Sequence, residues 1–195
     1  MNQEYTKLLT SIISEMVHTD HIKLSEIPDI DLYMDQVTSF MDDRLKGSKR
    51  YEDDKILTKT MINNYAKNKL LPPPQKKRYS QEHMLILIFI YYFKGFLPLT
   101  DIQAILKPMT DRFFNNDGDF GIKEIYDEVY STGKKQISES CRDILSKFHA
   151  SSNSFKDSPE EDREFLQIFC FICMLSFDIY VKKEVIEKML DQLPH

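Results

Sequence analysis

The segment Ile56–Ser80 (ILTKTMINNYAKNKLLPPPQKKRYS) constrains the fold of this chain more than any other stretch. Four apolar residues recur in it at helical spacing: Met61, Ile62, Tyr65 and Leu70. Thr58 precedes them, and threonine is a common N-cap of helices. Because helical conformation is disfavoured before proline, Pro72-Pro73-Pro74 should end the helix and hold the chain extended. The segment therefore predicts a short amphipathic helix followed by a projecting basic connector.

The outer face of this predicted helix carries side chains that suit duplex DNA. It consists of Lys59, Thr60, Asn63, Asn64 and Lys67, with no acid among them. Lysine can hold phosphates, and asparagine can pair bidentately with the edge of an adenine. A lysine-rich face alone is usually a solvated surface. Surface helices usually mix both signs of charge, however, so the lack of acids favours a contact with a polyanion.

The charge distribution along the chain supports the same prediction. Residues Arg44–Tyr79 contain eleven Lys/Arg and three acids, a net charge of +8, whereas the whole chain carries −5 and the remainder therefore −13. A basic patch on an acidic protein indicates a local polyanion contact. After the prolines, Lys76, Lys77 and Arg78 are expected to hold phosphates beside the helix.

The rest of the chain predicts further helices, and hence an all-α fold. A stripe of Ile30, Tyr33, Met34, Val37, Met41 and Leu45 indicates a helix after Pro28, capped by Asp29 or Asp31. The apolar run Met84–Phe93 is too short for a bilayer, which needs about 20 residues, and predicts a buried helix. Residues 122–148 predict one long helix or two, with Gly133 as the weak point. We divide the chain into an N-terminal helix (1–25), a central domain (26–108) and a C-terminal helical region (109–195).

The last predicted helix, which begins near Pro159, is apolar on nearly every side between Phe165 and Val181. Asp178 and acidic flanks argue against a membrane span, so the helix should be covered by the chain's own N-terminal elements or by a second copy. Cover by a second copy would make the protein a homodimer. Cys170 and Cys173 lie among aromatic and aliphatic neighbours, which indicates cysteines packed as small hydrophobes.

The sequence nominates no catalytic site, metal or cofactor. It contains no phosphate-binding glycine motif, no H-E-x-x-H and no nucleophile elbow. His18 and His21 have no third ligand nearby, and we expect them to be exposed. Asn115, Asp117 and Asp119 resemble a calcium loop, but Phe120 and Tyr126 replace its glycine and bidentate glutamate, so we expect a turn. Three cysteines and no N-terminal signal predict a cytoplasmic protein.

Residues Thr58–Leu106 resemble the DNA-binding head of MerR-type regulators. The positions in step with that pattern are Thr58, Ile62, Tyr65, Leu70, Lys77, Tyr79, Ser80, Gly95, Phe96 and Ile102. At Asn63 the pattern has arginine, and at Lys69 it has glycine. Ile27–Val37 together with the opening segment is similar to an uncharacterised Gram-positive bacterial family, domain of unknown function 1836, with MerR-like helices. The resemblance implies a winged helix-turn-helix with a rudimentary wing.

These observations lead to one principal hypothesis and two alternatives. The principal hypothesis is a DNA-binding transcriptional regulator, not an enzyme, that contacts double-stranded DNA through the eight residues Lys59, Thr60, Asn63, Asn64, Lys67, Lys76, Lys77 and Arg78. The first alternative is a protein-interaction module that has kept the helix-turn-helix scaffold but lost DNA reading. The second is a small-molecule sensor with a pocket among the C-terminal helices.

Overall fold

The protein is mostly helical, which confirms the all-α prediction (71% helix). Its computed structural model describes residues 3–18, 22–116 and 118–193, and the side chains of Val17 and His18 are also outside the description. The prediction that His18 and His21 are exposed therefore concerns a side chain and a residue that lie outside the described part of the chain. The helices are α1 (Gln3–His18), α2 (Met34–Leu45), α3 (Lys59–Lys67), α4 (Gln81–Phe93), α5 (Leu99–Phe113), α6 (Ile122–Ser152) and α7 (Glu160–Leu190). Strands β1 (Leu32–Tyr33) and β2 (Arg78–Tyr79) form a two-stranded antiparallel sheet.

The chain divides into two compact units. The central unit comprises His21–Val129 and Met189–His195, and the terminal unit comprises Met1–Asp20 and Tyr130–Lys188. The boundary at residues 129/130 falls inside α6. This division into units does not test the predicted domain boundaries at 25/26 and 108/109, which stay predictions.

Helix α4 forms the core of the central unit. Its residues from Met84 to Ile90 are all buried, with exposures between 0 and 6%, which confirms the prediction made from the apolar run. A helix that is apolar all round needs neighbours on every side. Its polar start is also held inside the unit, because the buried Gln81 side chain donates a 2.9 Å hydrogen bond from Nε2 to the carbonyl of Ile27.

The segment before α2 is extended, and the predicted early helix start is wrong. Leu32 pairs with Tyr79 and Tyr33 pairs with Arg78 across the small sheet. Alternation along a strand buries Leu32 and leaves Tyr33 52% exposed, while Ile30 is 67% exposed. The N-cap is therefore Tyr33, whose N–H donates to Gln36 Oε1 at 2.8 Å, and neither predicted aspartate has that role.

In the terminal unit, α6 and α7 pack as antiparallel neighbours. Phe148 and Phe171 meet edge to face, with ring centroids 5.3 Å apart. Gln167 Nε2 donates to the Ser152 carbonyl at 2.8 Å, which closes the end of the pair near its connecting loop. Helix α6 runs through Gly133 without a break, so the single-helix alternative holds.

A buried histidine stabilises the start of α4. The ring of His83 is 2% exposed and makes edge-to-face contacts with Tyr79 and Phe114. Its Nδ1 accepts a hydrogen bond from the Ser80 backbone N–H at 3.0 Å, so this nitrogen carries no proton in the folded protein. Burial lowers the pKa of His83 below its ordinary value of 6.5, and nearby backbone groups of Pro72 and Pro73 oppose that shift.

We predict that His83 makes stability depend on pH. A histidine whose folded-state pKa is lowered takes up protons more readily when unfolded, so its stabilising contribution is complete above pH 6.5 and is lost as pH falls through and below that value. Denaturation at pH 7.5, 6.5 and 5.5, followed by circular dichroism, should show this loss. His83→Gln should flatten the slope because glutamine can accept the Ser80 N–H without titrating. A slope that His83→Gln leaves unchanged would contradict the assignment.

Candidate nucleic-acid interface

Helix α3 has the cap and the two faces that the sequence predicts. Thr58 Oγ1 accepts a 3.2 Å hydrogen bond from the Met61 N–H, which confirms Thr58 as the N-cap. Ile62 and Tyr65 are buried, with exposures of 0 and 5%. The five residues of the opposite face are all exposed: Lys59, Thr60, Asn63, Asn64 and Lys67.

A left-handed lysine ends α3 before the prolines are reached. Lys69 has φ +57°, the Leu70 N–H donates to the Tyr65 carbonyl at 2.8 Å, and the Lys69 N–H donates to the Ala66 carbonyl at 3.2 Å. These two bonds define a Schellman motif, which usually has glycine at the left-handed position. The triple proline is therefore not what stops the helix, and the buried Leu70 lies beyond its end.

The predicted basic connector forms a four-residue turn, Gln75–Arg78, with Lys76 and Lys77 at its centre. We call it the basic turn. The Arg78 N–H donates to the Gln75 carbonyl at 2.9 Å, and Lys76 and Lys77 have φ +49° and +65°. Two successive left-handed residues are the pattern of a type I′ turn, which favours Asn-Gly. A left-handed residue other than glycine costs roughly 1–2 kcal/mol, so these two lysines occupy a strained position at the exposed tip.

Two residues at the start of α2, its N-cap and one in its first turn, contact both parts of the candidate surface, which are the outer face of α3 and the basic turn. Tyr33 accepts a hydrogen bond on its hydroxyl from Arg78 Nη2 at 3.1 Å, and the guanidinium carbon lies 5.1 Å from the Tyr33 ring centroid. Two residues later, Asp35 forms an ion pair with Lys59, the first residue of α3. The start of α3 and the end of the basic turn are thus anchored to neighbouring residues, which sequence reasoning did not foresee.

Acids that precede the basic window neutralise part of it. Four of its eleven cations form ion pairs with acids that lie earlier in the chain: Arg44 with Glu26, Lys46 with Asp43, Lys49 with Asp42 and Lys59 with Asp35. Only the pair three residues apart, Asp43–Lys46, follows from helical spacing alone. The outer face of α3 itself has no acid, but Asp35 reaches it from α2.

Within the described ranges, no group of three or more His, Cys, Asp or Glu side chains is placed to hold a metal ion. In the segment compared with a calcium loop, Asn116 Oδ1 accepts from the Gly118 N–H at 3.2 Å and Asn116 Nδ2 donates to the Phe120 carbonyl at 3.0 Å. This is the expected turn, although Asp117 lies outside the described residues.

The model of one protein family, DUF1836 (domain of unknown function), matches residues 22–129 of the chain. The protein is therefore a largely helical member of the DUF1836 family, an uncharacterised domain family. The matched range nearly coincides with the central unit up to Val129. No curated protein and no solved structure matches the chain.

We predict that Lys69→Gly stabilises the central unit by about 1 kcal/mol, because glycine adopts the left-handed conformation without the penalty of a Cβ atom. Lys67→Gly removes the same charge two residues earlier, inside α3, and should destabilise by about 1 kcal/mol. Chemical denaturation of the two variants measures both effects. Equal destabilisation by both would show that residue 69 is not left-handed in solution.

Proposed function

We propose that this protein is a cytoplasmic, DNA-binding transcriptional regulator that contacts duplex DNA through the outer face of α3 and the basic turn. The observation that carries the proposal is the pair of lysines in left-handed conformation at the tip of that turn. Strain of this kind clusters at functional sites, where the chemistry of the side chain outweighs its cost to folding. Here the strain presents two cations at adjacent exposed positions.

The dimensions of α3 suit the major groove. An α-helix with its side chains is about 10–12 Å across, and the major groove of B-DNA, about 12 Å wide, admits it. The nine residues of α3 provide about 13 Å of helix at 1.5 Å per residue. Asn63 and Asn64 lie in the middle of the exposed face, where their amides would reach base edges. Lys59 and Lys67 lie at the two ends of α3, where they would reach phosphates on either side.

The cations of the proposed surface differ in the partners that they already have and would keep or lose on binding phosphate. In the described part of the chain, no ion pair involves Lys67, Lys76 or Lys77. Arg78 is held by Tyr33 through a hydroxyl and a ring face, which leaves its charge uncompensated and lowers the entropy it would lose on binding. Lys59 must exchange Asp35 for a phosphate. Exposed ion pairs contribute about 0–1 kcal/mol, so breaking the Asp35–Lys59 pair loses little free energy.

In this proposal α2 and α3 act as a MerR-like helix pair, and the basic turn acts as a rudimentary wing. Helix α2 contacts α3, and β1 of the same segment pairs with β2. The connection from Leu45 to Lys59 is longer than the three or four residues usual in a helix-turn-helix. The buried Ile56 and Leu57 anchor its end just before the Thr58 cap. DNA binding itself requires no catalytic step, metal or cofactor.

The rival function is a protein-interaction module on the same scaffold. It is favoured by the Asp35–Lys59 pair and by the exposed apolar side chains Ile30 and Tyr33 near the basic turn. Such a surface would take an acidic peptide with apolar anchors. Capture of one defined partner by a chain that shows no salt-dependent affinity for DNA would favour this rival.

The sharpest test replaces the strained lysines with the residues that the turn prefers. Lys76→Asn with Lys77→Gly should stabilise the protein by about 1–2 kcal/mol, because Asn-Gly suits a type I′ turn. The same double substitution should weaken binding to random duplex DNA and reduce the slope of log K against log salt by about 2, since each phosphate contact contributes roughly 0.9. Denaturation and fluorescence anisotropy on the same protein stocks measure the two effects.

The matched control for that test is Lys134→Ala with Lys135→Ala, which removes two adjacent exposed lysines from α6. It makes the same change in net charge and should leave the salt slope unchanged. If the turn variant and the control weaken DNA binding equally, the effect is due to net charge and the proposed surface is wrong.

Asp35 should restrain DNA binding, and removing its charge should strengthen it. Asp35→Asn frees Lys59 and lowers repulsion of phosphate, so we expect a two- to fivefold increase in affinity, corresponding to the roughly 1 kcal/mol or less of an exposed ion pair. Asp111→Asn, which breaks the Lys107–Asp111 pair in α5, should have no comparable effect. Affinity that Asp35→Asn leaves unchanged would place Lys59 outside the interface, and weaker binding would contradict the restraining role of Asp35.

A further inference from the structure

Helix α7 exposes an apolar stripe that its own unit leaves uncovered. At 100° per residue, one narrow arc of the helix contains Phe165, Phe169, Ile172, Ser176, Ile179 and Tyr180, here called the α7 stripe. Its five large side chains are 54–69% exposed. The opposite side of the helix faces α6, since the buried Gln167 and Phe171 contact that helix.

The area and spacing of the α7 stripe suit a protein interface. At about 200 Å² for a large side chain, these exposures amount to on the order of 600 Å² per chain. Soluble monomers rarely expose more than a few hundred Å² in one patch, and each partner in a standard interface contributes about 800 Å². The alternating steps of four and three residues from Phe165 to Ile179 match the seam of a coiled coil.

We propose that α7 pairs with α7 of a second copy of this chain, antiparallel and around a two-fold axis near Ile172. Two-fold interfaces are self-complementary, so residue i meets residue j twice. In this register Phe165 lies opposite Tyr180, and the large Phe169 ring lies opposite the small Ser176. Ile172 lies near the axis, against the same region of the partner helix. The proposal stands independently of DNA binding.

The charges at the ends of α7 favour the antiparallel direction. Its first turn contains Glu160, Glu161 and Asp162, and Lys183 lies in the same arc of the helix as the α7 stripe. Antiparallel pairing brings Lys183 opposite Asp162 at both ends of the interface. A parallel pair would instead place the two acidic first turns side by side and oppose Phe169 to Phe169. Lys183 is available for this contact because its present partner is Glu187 of the same exposed surface, at 3.4 Å.

A bilayer would be the other apolar partner for α7, which is long and apolar enough to cross a membrane by length and composition. The packing of α6 on α7 argues for the second copy. Lys147 of α6 forms a 2.8 Å ion pair with Asp178, and Lys147 holds the pKa of that carboxyl below its ordinary value. A spanning α7 would carry this ionised pair into the lipid, where charged side chains are strongly disfavoured.

The solution mass of the full chain tests the pairing. Light scattering in detergent-free buffer should give twice the mass of the chain, and Ile172→Glu should give the monomer mass because it buries two like charges near the axis. Phe177→Glu is the matched control: Phe177 is 68% exposed on the same helix, but it lies about 110° from the centre of the α7 stripe. It should remain dimeric, with helix content by circular dichroism equal in all three proteins.

Cysteine cross-linking tests the register. In a background with Cys170→Ser and Cys173→Ser, Ile172→Cys should form a disulfide dimer on oxidation. Phe165→Cys alone should not cross-link, but a mixture with Tyr180→Cys should give the mixed dimer. Self-cross-linking of Phe165→Cys would show parallel pairing. A monomeric wild-type chain, or flotation of the chain with phosphatidylcholine vesicles, would overturn the proposal whatever its DNA binding.

Discussion

The pairing of β1 with β2 is the constraint on which the arrangement of the candidate surface depends. It joins the two residues before α2 to the last residue of the basic turn and the residue after it, across 45 positions of chain between Tyr33 and Arg78. Because Leu32 is buried by this pairing, Tyr33 is directed outward, where its hydroxyl and ring hold Arg78. Asp35 then follows in the first turn of α2, beside Lys59. A one-residue slip in this register would turn Leu32 outward and dismantle the surface.

Three lysines in left-handed backbone conformation, at positions 69, 76 and 77, flank this pairing. The first ends α3, and the other two form the tip of the basic turn. Each occupies a position where glycine or asparagine would be less strained. At position 69 the interpretation is structural, because hydrogen bonds of a Schellman motif surround it. At positions 76 and 77 the strain accompanies two exposed charges, and it is this combination that the DNA proposal explains.

Local features were predictable from the sequence, and long-range ones were not. The Thr58 cap, the two faces of α3 and the buried α4 follow from residue type and helical period. The start of α2 was missed because a two-residue strand gives almost no pattern, and Tyr33 and Ile30 coincide with the helical spacing of Val37 and Met41. Asp35 beside Lys59 was missed because it comes from another helix. The exposed side of α7 was visible as an apolar segment, but its uncovered stripe required the packing against α6.

The central claim is that α3 and the basic turn form a phosphate-binding surface. The most direct measurement is the affinity of the full chain for random duplex DNA, determined by fluorescence anisotropy at salt concentrations from about 50 to about 300 mM. With Lys67, Lys76, Lys77 and Arg78 each releasing one counterion, the account predicts a line of slope about −3 to −4 in log K against log salt. No binding at the lowest salt, or an affinity that salt leaves unchanged, would contradict it.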